Sequence, residues 1–450
     1  MEMVLRAEDA KDWVYKGEGA ANLILSYRGS SPSLLGKVLR IQKVPKDKTQ
    51  FPNTRDVLTR HEQLLWRDAA ELVESSSRHN LAQRYVVHVM SPFLGAKHID
   101  VGIRVSVSRD FLELVKVNIR SHRPILRVDV SEVDILSDSA LVISDHSIFT
   151  GTSDESICIA VEIKPKCGFL PSSEFIAKAN SVKKHVTRYK MHQLLKLHHG
   201  EILKESEYDP LDLFSGSKDR ICKAIGALFS TPENNFRVFL NGSLIFGCMG
   251  RDNIPSHQVN KTFEDLIKVG GLQLSSFLEL LGEVIFKSGI LDRLLATQKL
   301  DVLDIEGAIH AYYNIVSQPC SVCKSIADAE LLDRYSFLHS LPMEKSLKIV
   351  REFLVAATAK DCSLIISFRP RESGITSSDY SSICLKSLNR IYYYKAHFID
   401  LDMKPLEKMV YYYEKDQKIV NFYKRNVETE QSSCNSKNGV NCYRKKHFHQ

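Results

Sequence analysis

Residues 157–166, ICIAVEIKPK, join an apolar run to a cluster of charged side chains. Apolar residues alternate along the run, which predicts a β-strand with one strongly apolar face. Glu162 and Lys164 are two residues apart, so a strand presents both side chains on the same face. Pro165 has no N–H for a β-ladder and is expected to end the strand, with Lys166 directly after it. A carboxylate and two ammonium groups together suit a polyanion that carries a metal ion or a sugar, but an ordinary solvated strand end fits this stretch equally well.

The size of the chain favours two domains, because 450 residues exceed one ordinary hydrophobic core. Hydrophobic residues make up 44% and charged residues 26%, which is typical of a globular protein. The net charge of +7 is a mild excess. It favours anionic ligands at a site over a protein that coats nucleic acid, and no specific nucleic-acid partner is expected.

The sequence also predicts where the protein works. The charged start has no apolar segment of a secretory signal, and no apolar run is long enough to span a bilayer, so no membrane association is expected. Most of the ten cysteines are isolated on hydrophobic stretches. That distribution fits reduced thiols, and we expect a cytoplasmic and nuclear protein.

Near the start, residues 12–43 alternate between predicted strands and turns rich in glycine or serine. A glycine turn at Gly17 and Gly19 lets backbone amides approach a phosphate closely, although most such turns are only hairpins. The third predicted strand carries Arg40 between apolar residues. A cation on the strand after a glycine-rich turn is how protein kinases hold nucleotide phosphates.

Further elements follow from periodicity and residue type. Strands are predicted by the apolar stretches Tyr85–Leu94, Val101–Val107, His122–Val130 and Ala140–His146. Helices are predicted over Asp56–Glu74 and Ile176–Leu197. Along the second helix, Lys184, Arg188, His192 and Lys196 recur every four residues without an intervening acid, which indicates one broad basic face.

A second phosphate-binding arrangement is predicted near the C-terminus. Asp400 ends the apolar strand AHFIDL, and Pro405 suits the first position of a helix. That helix places Lys404, Lys408 and Tyr412 on one face. Asp400 could then hold Mg²⁺ while the helix start and its lysines meet phosphate.

One pair of cysteines has the spacing of metal ligands. Cys320 and Cys323 are separated by two residues, and His310 and His339 flank them in the sequence. Two thiolates and two imidazoles would complete a tetrahedral zinc site, although the spacing matches no standard zinc finger and buried thiols can occur in pairs by chance.

These motifs together resemble the inositol-pentakisphosphate 2-kinase family. The family pentapeptide Glu-x-Lys-Pro-Lys stands here as Glu162-Ile-Lys-Pro-Lys166, and KGEGAANL, FIDLDMKPL, SEYDPLDLFSG and NNFRVFLNG are also similar to it. The resemblance implies ATP-dependent phosphorylation of the 2-hydroxyl of inositol 1,3,4,5,6-pentakisphosphate. It also implies an α+β, two-lobed inositol phosphate kinase fold distantly similar to protein kinases. We expect a nucleotide-binding lobe at 1–165, an inositide-binding lobe with the zinc site at 166–425, and a disordered basic tail at 426–450.

The resemblance implies a role for each residue at a matching position. The expected nucleotide contacts are Gly19, Ala20, Ala21, Asn22, Arg40, Ser144, Asp145, His146, Glu162, Lys164, Arg237 and Asp400. The expected inositide contacts are Arg127, Lys166, Lys196, Asn234, Lys404, Lys408 and Tyr412. Asp361 matches the catalytic aspartate, with Lys164 and Mg²⁺ on Asp361 and Asp400 neutralising the transferring phosphoryl group. The structural Zn²⁺ is expected on His310, Cys320, Cys323 and His339, in a monomer.

The sequence departs from the family pattern at a few positions. Ala20 stands where a second glycine is usual, and Lys408 replaces an arginine, which turns a bidentate phosphate contact into a point charge. Pro45 and Lys46 stand where arginines are usual. Two alternatives remain open, namely a kinase for another inositol phosphate or lipid, and a non-catalytic binder of phosphoinositides or RNA.

Overall fold

The computed structural model describes residues 3–46, 57–149, 157–247, 265, 267, 272–326, 328–371 and 380–435, with side chains to residue 427. In these residues the chain forms two β-sheets, and each sheet contributes to its own large apolar core. Helices accompany both sheets, so the predicted α+β class is confirmed.

The first sheet follows the strand order β1-β5-β7-β4-β3-β2, and β6 pairs with β4. Its only parallel pair is β1 with β5 among the described strands. The strands are β1 Val4–Leu5, β2 Trp13–Glu18, β3 Asn22–Tyr27, β4 Lys37–Pro45, β5 Ile103–Val107, β6 Ser131–Val133 and β7 Ser139–Ser144. The strand-turn-strand-turn-strand pattern predicted over residues 12–43 is confirmed by β2, β3 and β4.

The second sheet is antiparallel throughout its described strands, in the order β10-β9-β8-β11-β13-β12. They are β8 Ile159–Ile163, β9 Phe236–Leu240, β10 Ser243–Phe246, β11 Ser363–Pro370, β12 Ser381–Leu385 and β13 Arg390–Ile399. The strand predicted in ICIAVEIKPK is β8. It is buried on both faces, because it lies inside the sheet between β9 and β11.

Helices surround the two sheets. The α-helices are α1 Arg60–Leu65, α2 Ala70–Val73, α3 Arg78–Tyr85, α4 Ser91–Leu94, α5 Arg109–Ile119, α6 Ile125–Val130, α7 Arg188–His198, α8 Pro210–Leu213, α9 Lys218–Ser230, α10 Leu274–Ser288, α11 Ile290–Gln298, α12 Asp304–Val316, α13 Ala329–His339, α14 Met343–Asp361 and α15 Met409–Asn435. Short 3-10 helices include Arg120–His122, Lys178–Lys184 and Leu406–Lys408. No described helix is both long and apolar enough to cross a membrane.

The strand predicted at Tyr85–Leu94 is wrong. This stretch continues α3 through a π-helical turn, Val86–Met90, into α4. Tyr85, Val89, Met90 and Leu94 are buried, whereas Val87 and His88 are exposed. The buried positions therefore recur with the period of a helix, although valines favour strands by residue type.

The strand predicted at His122–Val130 is also wrong, because Pro124 precedes the short helix α6. The helix predicted at Ile176–Leu197 is split into the 3-10 helix Lys178–Lys184 and α7. The predicted helix Asp56–Glu74 is likewise interrupted, as α1 and α2. Asp56 itself lies outside the described residues.

The two cores divide the chain unevenly. The core of the first sheet runs from Leu5 to Val142 but omits residues 58–99. These residues pack with the second sheet, in a core that extends to Met409. The boundary at residue 165 remains a prediction. The tail predicted from residue 426 begins inside α15, and residues 436–450 lie outside the described part.

A buried cluster of charges joins the 3-10 helix Lys178–Lys184 to α12 and α15. Lys183 Nζ donates to Asp304, to Glu306 at 3.0 Å and to Asp416 at 2.7 Å. Burial opposes its charge, yet the three carboxylates raise the pKa of Lys183 overall. Removing one member of such a cluster leaves buried charges uncompensated.

We expect Lys183→Met to lower the free energy of unfolding by about 3–5 kcal/mol, measured by urea denaturation. The matched control is Lys178→Met on the same 3-10 helix, whose ion pair with Glu330 is exposed. The control should leave the denaturation midpoint unchanged. Equal midpoints for the two variants would show that the buried cluster contributes little to stability.

Candidate active site

One lysine and two carboxylates meet at one edge of the second sheet, where β8 and β13 end and β11 begins. Lys164 Nζ lies 4.0 Å from Asp361 Oδ1 and 3.8 Å from Asp400 Oδ2. Lys164 follows β8, Asp361 ends α14 just before β11, and Asp400 follows β13. Because β11 pairs with both β8 and β13, the sheet brings these distant residues together. The structure thus brings together the three residues that the resemblance placed at the transferring phosphoryl group, and their roles remain predictions.

The environments of the two carboxylates differ. Burial raises the pKa of Asp361, but Lys404 and Lys164 outweigh it and hold that pKa below its usual value. Lys404 Nζ donates to Asp361 Oδ2 at 2.8 Å. At Asp400, burial and then the charge of Glu162 raise the pKa. Asp361 is therefore an ionised acceptor, and Asp400 is a carboxylate whose ionisation a bound cation would favour.

Glu162 is fixed by two neighbouring strands. Its register partner on β9 is Arg237, and Arg237 Nη1 donates to Glu162 Oε2 at 3.2 Å. Ser363, at the start of β11, donates to Glu162 Oε1 at 3.0 Å. The side chain is buried, so its position beside Asp400 is set by hydrogen bonds and not by solvent.

Two expected nucleotide contacts of the first sheet reach across to the second. Arg40 on β4 forms an ion pair with Asp402, and Asn22 Nδ2 donates to Asp402 Oδ2 at 3.2 Å. No sequence argument selected Asp402, although it stands two residues after Asp400. Its carboxylate engages both donors.

The glycine turn is exposed, and a buried glutamate directly before it is held by two cations. Gly19, Ala20 and Ala21 are exposed between β2 and β3. The preceding Glu18 is buried and accepts hydrogen bonds from Arg123 at 2.9 Å and from Lys43 at 2.5 Å. The turn itself is closed by a hydrogen bond from Gly19 N–H to the Asn22 carbonyl at 2.9 Å, and Lys43 Nζ donates to the Gly19 carbonyl at 2.7 Å.

The end of β7 lies against the second sheet. Ser144 N–H donates to Asp100 at 2.9 Å, and Asp145 accepts from Lys16 at 2.5 Å. The ring of His146 stacks on His397 of β13 at 3.9 Å. Residues 144–146 are thus mostly buried at the junction of the two sheets.

A group of basic side chains lies beside Lys164. Burial, and next the charge of Lys164, lower the pKa of Lys166 to about 8, with smaller contributions from Lys196 and Arg188. Burial and then Arg188 and Lys196 lower the pKa of His192 to about 3. These mutual effects show that the positive charges of α7 and of Lys166 act on one another. A polyanion would relieve the repulsion among the cations.

The remaining expected inositide residues differ in position. Burial and then the charge of Asp361 raise the pKa of Tyr412 to about 12. Asn234 is exposed in the turn whose next residue, Asn235, accepts from Lys164 N–H at 2.9 Å. Lys408 is exposed before α15.

Arg127 is the exception. It is exposed on α6, and its charge acts on Tyr15 and Lys43 of the first sheet. Its place on α6 and its effect on two residues of the first sheet set it apart from the basic side chains around Lys166.

Two cysteines and two histidines form a separate cluster. One ligand atom of each of His310, Cys320, Cys323 and His339 lies within 4.8 Å of the other three. His339 Nδ1 lies 3.2 Å from Asn314 Oδ1, which orients the ring. Burial, and then His339, lower the pKa of His310 to about 3, so its ring is neutral as a metal ligand must be. The donor set suits a closed tetrahedral zinc site.

Comparison with known proteins agrees with this geometry. A family model described as inositol-pentakisphosphate 2-kinase matches residues 15–418. The chain belongs to this family. A relative named inositol-pentakisphosphate 2-kinase IPK1 from Oryza sativa subsp. indica is 64% identical over 430 residues, covering 95% of this chain and 97% of the relative. An Arabidopsis thaliana inositol-pentakisphosphate 2-kinase is 51% identical over 443 residues, covering 96% and 98%. A Danio rerio relative of the same name is 29% identical over 508 residues, covering 98% and 99%.

Membership of the inositol-pentakisphosphate 2-kinase family confirms the resemblance that the sequence motifs indicated. The individual roles carried over from the family remain predictions. Within the candidate site, sequence reasoning missed Asp402 and the Glu18–Arg123 pair. The contacts of each of these residues are with side chains far away in the sequence, and no local sequence pattern predicts such contacts.

Proposed function

We propose that this chain transfers the γ-phosphoryl group of ATP to the 2-hydroxyl of inositol 1,3,4,5,6-pentakisphosphate, which gives inositol hexakisphosphate (phytate). The observation that carries the proposal is the convergence of Lys164, Asp361 and Asp400 beside the basic side chains around Lys166. An acceptor with five phosphates carries up to about ten negative charges, since each contributes up to about two. It requires such a concentration of cations.

Two lobes in the manner of protein kinases would place the nucleotide between the sheets. In this arrangement Gly19, Ala20, Ala21 and Asn22 lie over the phosphates with Arg40. Residues 144–146 receive the adenine, and Glu162 and Arg237 meet the ribose or phosphates. The exposed turn and the cross-sheet contacts of Asn22 and Arg40 support this assignment.

The inositide lies on the other side of Lys164. Lys166, Lys196, Asn234, Lys404, Lys408 and Tyr412 hold its phosphates, with Arg127 reaching it from the first sheet. Several charge-assisted hydrogen bonds of roughly 1.5–3 kcal/mol each supply binding of about 8 kcal/mol, which is micromolar affinity.

For transfer, Asp361 accepts the proton of the 2-hydroxyl, and the hydroxyl oxygen of the inositide bonds to the γ-phosphorus. The bond from that phosphorus to the bridging oxygen breaks, and ADP leaves. Lys164 compensates the negative charge on the transferring group. Asp361 and Asp400 are oxygen donors of the kind that Mg²⁺ prefers, and a bound Mg²⁺ would add charge neutralisation there.

The separate cluster of His310, Cys320, Cys323 and His339 holds a structural Zn²⁺ in this proposal. The mutual proximity of the four ligand atoms, within 4.8 Å of one another, and the Asn314 contact of His339 support it. We further propose a monomer that works in the cytoplasm and nucleus on small-molecule ligands. A kinase for another inositol phosphate is not favoured, because the relatives at 64% and 51% identity are both named inositol-pentakisphosphate 2-kinase. A binder without catalysis is not favoured beside the paired carboxylates.

Incubation of the purified protein with ATP, Mg²⁺ and inositol 1,3,4,5,6-pentakisphosphate should yield hexakisphosphate, identified by anion-exchange chromatography. Asp361→Ala should lower kcat by about 10²–10⁴-fold, because it removes the base that positions the hydroxyl. Calorimetry should show that the variant still binds both ligands. Asp110→Ala, an exposed aspartate on α5, is the matched control. Near-normal turnover of Asp361→Ala would remove this residue from the mechanism.

The pKa of Lys166 predicts a pH effect on acceptor binding. Its ammonium is present below the pKa of about 8 and is lost as pH rises through that value. We expect KM for the inositide to rise above pH 8, by up to about tenfold per pH unit. Lys166→Arg keeps its charge and should flatten the profile. Parallel profiles for the wild type and this variant would assign the effect to another group.

The purified protein should contain zinc, measured by atomic emission. Cys320→Ser and Cys323→Ser should lose the metal and unfold at a lower temperature, because metal binding is coupled to folding. Cys384→Ser, at an exposed cysteine, is the control and should retain both properties. Wild-type protein that is free of zinc after metal-replete expression would contradict the assignment.

A further inference from the structure

The side chain of Gln298 joins two parts of the candidate active site. Gln298 is the last residue of α11 and is completely buried. Its Nε2 donates to the carbonyl oxygens of Lys166 at 2.8 Å and Ala359 at 3.2 Å. Its Oε1 accepts from the N–H of Gly168 at 2.9 Å. Both donor hydrogens and the acceptor of one amide are therefore used on backbone groups.

The loop held by Gln298 has an unusual and closely confined path. Lys166 adopts a φ of +63°, in the left-handed region that side-chain-bearing residues seldom occupy. On the N-terminal side of Lys166, the hydroxyl of the buried Tyr208 donates to the Pro165 carbonyl at 2.6 Å. On the C-terminal side of Lys166, a Cβ on Gly168 would lie 2.3 Å from the ring of Phe214, so this backbone has no room to move towards the ring. External hydrogen bonds thus maintain a conformation that the local sequence does not favour.

The second carbonyl that Gln298 binds, that of Ala359, lies close in the chain to Asp361. Ala359 is in the last turn of α14, two residues before Asp361. Carbonyl groups in the last turn of a helix have no partner within the helix, so the donor from Gln298 supplies one. A single rigid amide consequently links the backbone that orients Lys166 to the backbone that ends at Asp361.

We propose that Gln298 is a positioning residue that fixes the inositide-binding Lys166 relative to Asp361. The inference rests on the proposed function for the roles of these two residues. Gln298 touches neither substrate, because its amide is buried beneath the loop. It acts by setting the distance between a cation that holds the acceptor's phosphate and the carboxylate that receives the acceptor's proton, a distance on which transfer depends steeply.

The test compares Gln298→Met with Thr297→Val. Met has similar length but cannot make the three hydrogen bonds. Thr297 is the neighbouring buried residue, and among the described residues its hydroxyl donates only within α11, to the Arg293 carbonyl at 2.8 Å. At a temperature where both variants are folded, Gln298→Met should raise KM for the inositide and lower kcat, each by about tenfold, the effect expected for lost buried hydrogen bonds. KM for ATP should stay within about twofold, and Thr297→Val should match the wild type.

A double-mutant cycle separates positioning from general destabilisation. If Gln298 acts through Lys166, its effect on the KM for the inositide should fall to less than about twofold in the Lys166→Ala background. An unchanged effect in that background would overturn the proposal, and so would equal rises in KM for both substrates. If Gln298→Met does not fold, Gln298→Glu keeps the shape and the acceptor, loses the amide donors, and should shift the same constants.

Calorimetric titration with inositol 1,3,4,5,6-pentakisphosphate requires no turnover. Weaker binding to Gln298→Met than to Thr297→Val supports the role of Gln298 at Lys166 even if the wild type transfers no phosphoryl group. In that case the proposed reaction fails and the positioning of Lys166 stands. Equal affinities of the two variants, with a catalytically active wild type, overturn the positioning role alone.

Discussion

The antiparallel pairing of β8, β11 and β13 is the constraint on which the candidate active site depends. β11 lies between the other two strands in one continuous register, so Lys164 after β8, Asp361 two residues before β11 and Asp400 after β13 meet at one edge. All five residues of β8 are buried. A one-residue slip would turn apolar side chains away from the core, so the same burial that stabilises the sheet fixes the site.

The backbone changes direction sharply at this edge. Lys166 and Asp400 both have positive φ, at +63° and +61°. Such conformations are unfavourable for residues other than glycine and persist when surrounding contacts determine them. Around Lys166 those contacts come from Tyr208 and Gln298. The core thus supplies the free energy that holds charged side chains in a crowded group, where their mutual repulsion favours a bound polyanion.

Local pattern was sufficient for some of these elements and not for others. The strand in ICIAVEIKPK and the three strands around the glycine turn were predictable, because alternation and turn residues are local properties. Tyr85–Leu94 was misassigned since its valines favour a strand, whereas helical packing against the second core decides its structure. The resemblance to a family suggested which residues serve the site. Gln298 could not be selected, because its partners are 132 and 61 residues away and nothing in its neighbourhood distinguishes it from a surface glutamine.

The contact between the sheets has a consequence for ligand binding. Asp402 accepts from Asn22 and pairs with Arg40, the two side chains proposed to meet nucleotide phosphates. A carboxylate offers negative charge and oxygen acceptors, as a phosphate does, so Asp402 can satisfy the donors that the proposed function assigns to nucleotide phosphates. Under the proposed function, a nucleotide phosphate would compete with Asp402 for these donors, and its net affinity would be the difference between phosphate and carboxylate on the same donors. The protein thereby keeps Asn22 and Arg40 ordered towards the cleft without leaving their charge and hydrogen-bonding groups unpaired.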